Sequence, residues 1–228
     1  MKKLMLMVAM MVAAVSANAQ LEQGTFSLQP KAGATISWLS NMPSLSITSN
    51  TELDKTPTVG AILGVEAEYQ LAEKFSLAAG INYAQQGCGW SDYSYQIGNN
   101  KAELKDAKIQ LGYVNVPITA NYYLFKGFAV KAGVQFGFLT SAKTKGTLTT
   151  EYNGAKSSTD LDSKDFKDEC KSLDISIPVG ISYEFNVPVV IDLRYNIGLT
   201  KVNKESIDGH KDFKNNVIQL TVGYKLAL

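Results

Sequence analysis

Apolar and polar residues alternate along most of this chain. From Phe26 the even positions Phe26, Leu28, Pro30, Ala32, Ala34, Ile36 and Trp38 are apolar, while Ser27, Gln29, Lys31, Gly33, Thr35 and Ser37 stand between them. A period of two over that length predicts a strand with two unlike faces, longer than the usual soluble strand. The pattern returns at Val59–Leu71, Phe75–Tyr83, Val114–Tyr122, Phe128–Phe138, Leu173–Phe185, Val189–Ile197 and Ile218–Leu228, which makes eight strands.

The connections between these strands alternate in length. Ala72-Glu73-Lys74, Phe125-Lys126-Gly127 and Asn186-Val187-Pro188 are tight turns. Leu39 to Thr56, Gly87 to Lys108, Thr140 to Lys171 and Thr200 to Asn215 are long and polar, and segments such as Ser44 to Thr51 and Thr144 to Thr150 read as flexible external loops. Strict alternation of short and long links predicts an all-β fold: an eight-stranded antiparallel up-and-down transmembrane β-barrel with its tight turns at one end and its loops at the other. Strands of about ten residues or more also suit a tilted crossing of the hydrocarbon layer.

The apolar face carries aromatic residues at both ends. Phe26, Tyr69, Phe75, Tyr122, Phe128, Tyr183, Phe185 and Tyr224 fall near the turn end, and Trp38, Tyr83, Phe136, Phe138 and Tyr195 toward the loop end. Two such girdles mark the two headgroup levels of a bilayer. The opposite face holds Lys31, Lys131, Arg194 and Lys225 with Glu66, Glu68, Asp174, Glu184 and Asp192, spaced by many glycines. In a narrow lumen charges of both signs must pair, because isolated buried ions are far too costly. These nine residues are therefore expected to form a lumen charge network. An eight-stranded bore is only wide enough for its own side chains, so a general diffusion pore is not expected. The alternative is a soluble periplasmic ligand-binding barrel of lipocalin type, with its apolar face inward and its charges solvated outside.

The start of the chain sets the compartment. Lys2 and Lys3 precede an apolar run from Leu4 to Val15, and Ala17-Asn18-Ala19 supplies the small residues that a signal peptidase accepts. Residues 1–19 are read as a signal peptide and 20–228 as the barrel domain. Elsewhere no run of about 18 apolar residues exists to make a spanning helix. The whole chain of 228 residues has 22 basic and 21 acidic residues, and cleavage after Ala19 removes Lys2 and Lys3 to leave 20 basic against 21 acidic. That balance, without basic blocks, lacks the electrostatic footprint of a nucleic-acid binder.

Few residues suit chemistry. With a single His, His210, a site with several His metal ligands cannot be built, and a His-based triad has only one place to form. His210, beside Asp208, Gly209 and Asp212, reads as a solvated loop residue. The acidic stretch Asp160 to Glu169 lacks the glycine and the spacing of a calcium loop. No catalytic residue, cofactor or metal is expected. Cys88 and Cys170 lie at the loop ends of strands three and six, and an even count in an oxidising compartment favours a disulfide between them across the barrel mouth.

Three pieces of the chain resemble a known family. Lys31-Ala32-Gly33, the stretch from Val59-Gly60 to Tyr83-Ala84-Gln85-Gln86-Gly87, and Leu111-Gly112-Tyr113-Val114-Asn115-Val116-Pro117 are similar to the PorT-like outer-membrane β-barrel family of Bacteroidetes. The resemblance spans essentially the whole mature chain. It implies an exported barrel in contact with outer-membrane lipid; with no catalytic set among the residues, a non-enzymatic protein with an envelope or partner-binding role is expected. The family's namesake is linked to protein secretion, which makes envelope or secretion-system proteins the implied partners.

Overall fold

In the computed structural model, residues 22–42, 44–48, 51–161, 165–204 and 212–228 are described. Eight long strands follow one another: β1 (Phe26–Ser40), β2 (Lys55–Ala72), β3 (Phe75–Trp90), β4 (Asn100–Phe125), β5 (Phe128–Tyr152), β6 (Leu173–Glu184), β7 (Val189–Gly198) and β8 (Lys214–Tyr224). Each pairs antiparallel with the next. The ring closes where β8 meets β1, from Lys31 opposite Gly223 to Ser40 opposite Lys214. Closure leaves no free edge within the barrel wall. No helix among the described residues is long and apolar enough to cross a membrane, a test that does not bear on strands.

The strand periodicity decides which face goes where. Val59, Leu63, Ile81, Leu193, Leu220 and Val222 stand outward and exposed. Their sequence neighbours Thr58, Asn82, Asp192, Gln219 and Thr221 are buried in the interior. The lipocalin-type alternative required the reverse, and the outward apolar face overturns it. Aromatic residues pair across strands at both ends. Phe26 lies opposite Tyr69, Phe75 opposite Tyr122 and Phe128 opposite Tyr183 at the turn end. At the other end Trp38 stacks on Tyr195 at 5.8 Å, and Phe138 pairs across to Val114, whose other neighbour is Tyr83.

Two of the long connections differ from the polar loops expected. β4 has 26 residues and β5 has 25, more than twice the about 9–11 needed to cross hydrocarbon, and they pair all the way out to Lys101 opposite Glu151. Short strands flank them: Tyr93–Ile97 on β4 and Ala155–Asp160 on β5. The result is a four-stranded blade standing beyond the barrel. Its residues alternate between threonine, lysine and small apolar side chains, a pattern that hydrophobicity alone reads as loop although threonine favours strands. Asn153-Gly154, both at positive φ (48° and 83°), forms the tight turn into Ala155–Asp160, a hairpin signal legible in the sequence. In the first long connection, Leu45–Thr48 pairs with Thr51–Leu53 as a separate small hairpin.

Candidate functional site: the closed lumen

Interior side chains form layers along the barrel axis, starting at the turn end. There Glu68 from β2, Tyr123 from β4, Glu184 from β6 and Lys225 just after β8 converge. Lys225 Nζ is 2.9 Å from Glu68 Oε2 and also bonds Glu184. The Tyr123 hydroxyl lies 2.8 Å from Glu68 Oε1 and 2.7 Å from Glu184 Oε1, so its one proton serves either carboxylate. Ser76 from β3 and Asn121 from β4 also donate to Glu68. The parity of β4 places Tyr123 inward beside the lipid-facing Tyr122. Sequence reasoning had not singled it out, because a second aromatic in a row masks the alternation.

The next layer is a compact ionic lattice. Arg194 Nη2 donates to Glu66 Oε2 at 2.7 Å, and Arg194 Nε donates to Asp192 Oδ1 at 2.7 Å. Lys31 Nζ donates to Glu66 Oε2 at 2.6 Å. Lys131 Nζ bridges Asp192 Oδ2 at 2.8 Å and Glu66 Oε1 at 3.4 Å. All five groups are at most 5 % exposed. Arg194 and Asp192 are two residues apart on β7, so the period of two sets both inward. Arg194 has room because its neighbour on β6 is Gly180, where a Cβ would come within 2.4 Å of the Leu193 carbonyl oxygen and 3.0 Å of Arg194 Cγ. Three cations against two carboxylates here, and one cation against two carboxylates below, leave the two layers together neutral.

Eight of the nine expected network residues thus meet in the lumen. Asp174 does not. It lies at the loop end of β6, half-buried, where the Thr200 hydroxyl donates to its Oδ1 at 2.6 Å, and no salt bridge reaches it among the described residues. The cause is its height on the strand, since the four cations sit further toward the turn end.

Above the ionic lattice the interior changes character. Asn115 Nδ2 donates to Asn82 Oδ1 at 3.1 Å, and Asn215 bonds Gln86. At the mouth stands an apolar cluster of Leu39, Cys88, Leu111, Tyr113, Leu139, Ala142, Cys170 and Val202, and Leu39, Leu111, Cys170 and Val202 also line a pocket of about 490 Å³ there. The links above fold onto it. Cys170 bridges to Asn203, Lys171 N donates to the Val202 carbonyl, and Phe166 N donates to that of Ala142. The expected disulfide is not formed: Cys88 and Cys170 are both free and buried thiols. β4 and β5 separate β3 from β6 in the ring, and Leu111, Tyr113 and Leu139 of those strands share the cluster with the two thiols.

The described residues hold no group of three or more His, Cys, Asp or Glu able to bind a metal. His210, Asp208 and Gly209 lie outside the described residues, as do Asp162 to Lys164 within the acidic stretch and the whole of segment 1–19.

The closed eight-stranded ring with its outward apolar belt and polar interior agrees with a family model that matches the sequence over most of its length. The family model described as "Outer membrane protein beta-barrel domain" covers residues 18–204. The chain belongs to this family of outer-membrane β-barrels. Among solved structures, it is similar to Ail, the attachment invasion locus protein of Yersinia pestis, at 13% identity over 89% of this chain and 99% of that one, with a TM-score of 0.41. Neisserial surface protein A is also similar, at 13% identity, 87% and 96% coverage and a TM-score of 0.43. None of the curated proteins matches the chain. As an outer membrane β-barrel domain protein, the molecule resides in the outer membrane with its apolar belt against lipid.

Proposed function

We propose that this outer-membrane barrel is a closed, non-enzymatic anchor that works through what stands at its loop end rather than by conducting solutes or performing chemistry. The filled lumen carries this reading. Glu66, Asp192, Lys31, Lys131 and Arg194 occupy the bore from wall to wall, and an apolar cluster caps it. An eight-stranded barrel offers no further width for water. Its loop end faces the cell exterior and its tight turns the periplasm, the arrangement usual for such barrels. Export uses residues 1–19 as a cleaved signal peptide.

The surface left for a partner is the blade. Ala155–Asp160 is exposed throughout and forms an outer edge, where backbone groups not used by β5 are open to another chain. The motif resemblance to the PorT-like barrels of Bacteroidetes supports a partner in the envelope or in protein secretion. Purified protein in planar bilayers tests the closed lumen: the expected result is no steady conductance, and a steady, sugar-permeable conductance from the unmutated barrel overturns the reading.

A further inference from the structure

The outward face of β3, β4 and β5 changes abruptly at the loop-end girdle. Below it, Tyr83, Val114 and Phe138 form one apolar ladder across the three strands. One step higher the outward ladder is Gln85, Gly112 and Ser141, followed by Gln110 opposite Lys143 and Lys108 opposite Lys145. A pocket of about 300 Å³ opens here, and its walls include Tyr83, Gln85, Gln110, Ser141, Lys143 and Lys145.

Gly112 forms its floor. A Cβ there would lie 2.7 Å from the Ser141 hydroxyl, 2.7 Å from the Tyr83 hydroxyl and 3.2 Å from that of Thr140, so three hydroxyl groups converge on a point that glycine leaves open. Thr140 donates to the Gly112 carbonyl, whereas the Ser141 and Tyr83 hydroxyls make no hydrogen bond among the described residues.

The charges are also distinctive. Further out on the blade, Lys101 and Lys105 both pair with Glu103. Lys143 and Lys145 have no ion pair among the described residues. Asp165 feels the Lys143 charge without forming an ion pair with it, and its Oδ1 accepts the backbone N–H groups of Ala142 and Lys167. Two lysines, hydroxyl donors and amide donors directly above an apolar belt present a compact anion with the donors it needs, at the depth where lipid headgroups lie.

We propose that this pocket holds the phosphate of a membrane-lipid headgroup, with Lys143 and Lys145 supplying the countercharge, Tyr83 and Ser141 donating hydroxyl hydrogen bonds, and the acyl chains lying along Val114 and Phe138. The inference rests on the membrane location of the barrel and is independent of whether the lumen conducts.

The test uses the folded full-length barrel in detergent, with phosphatidic acid as probe and native mass spectrometry as readout. Phosphatidic acid should remain bound, and diacylglycerol, which has the same chains without phosphate, should not. The double variant Lys143→Gln/Lys145→Gln should weaken binding about 30-fold, at the energy usual for two lysines near a membrane surface. Lys101→Gln/Lys105→Gln should bind as the unmutated protein does, and Lys143→Arg/Lys145→Arg should retain binding. Gly112→Ala should reduce it by filling the floor. Unheated gel migration checks that each variant is folded. Equal binding by the Lys143→Gln/Lys145→Gln variant overturns the site. Displacement of the lipid by an equal concentration of inorganic phosphate overturns the lipid as its source.

Discussion

Arg194 and Glu66 meet at 2.7 Å inside the barrel although 128 residues separate them along the chain. The contact joins β7 to β2, strands separated in the ring by β1 and β8, so it ties together walls that share no backbone hydrogen bonds. Glu66 also receives Lys31 and Lys131, which makes it the point where three strands are cross-linked to β2.

Removing Arg194 should therefore be costly. Arg194→Ala leaves Glu66 and Asp192 with only two lysines in a site 3 % exposed or less at each carboxylate, and should lower stability by about 3–5 kcal/mol. Urea unfolding in lipid vesicles, followed by tryptophan fluorescence, measures this. The same variant should still show no sugar-permeable conductance, since the lysines, the amide layer and the apolar cap remain.

At the turn end, Tyr123→Phe deletes one hydroxyl shared by Glu68 and Glu184 and keeps the ring. One of the two carboxylates then loses a donor in a buried site, and the expected loss is about 1–3 kcal/mol. Equal unfolding midpoints for Tyr123→Phe and the unmutated protein would show that Lys225, Ser76 and Asn121 suffice on their own.

The two faces of β7 should respond oppositely to charge. Leu193 is outward, opposite Leu220 and Ile181 near the middle of the belt, and Leu193→Arg should cost about 2–4 kcal/mol of insertion energy. Asp192→Asn, on the inward side, should instead weaken the lattice without changing partition into lipid. Normal vesicle insertion of Leu193→Arg would contradict the outward assignment.

Both cysteines should be present as thiols and slow to react. Burial, followed by the nearby carboxylates of Glu169 and Asp165, raises the Cys170 thiol above its ordinary range, so little thiolate is available near neutral pH. A maleimide probe added to unreduced folded protein should label neither cysteine quickly and both after unfolding in urea. Failure to label either after unfolding without reductant would reveal a bridge.

Much of this molecule was legible from the order of its residues. The period of two in strands such as β1 and β7 sorted the inward charges from the lipid-facing leucines, because a pleated strand leaves each side chain only two directions. Alternating tight and long links set an eight-membered ring. Where that logic weakened, local pattern and tertiary environment parted. Lys101 to Lys108 and Lys143 to Glu151 are polar on both sides, so hydrophobicity could not reveal that they are strand; the pairing of β4 with β5 beyond the membrane decided it. Leu39, Leu111, Tyr113 and Leu139 sit at inward positions where the rest of the lumen is polar, and only the folding of the links over the mouth makes an apolar cap of them. Sequence could assign nine charged residues to one face but not their partners. Height along the barrel axis depends on strand stagger, and that stagger placed Glu66 within reach of Arg194 and left Asp174 to Thr200.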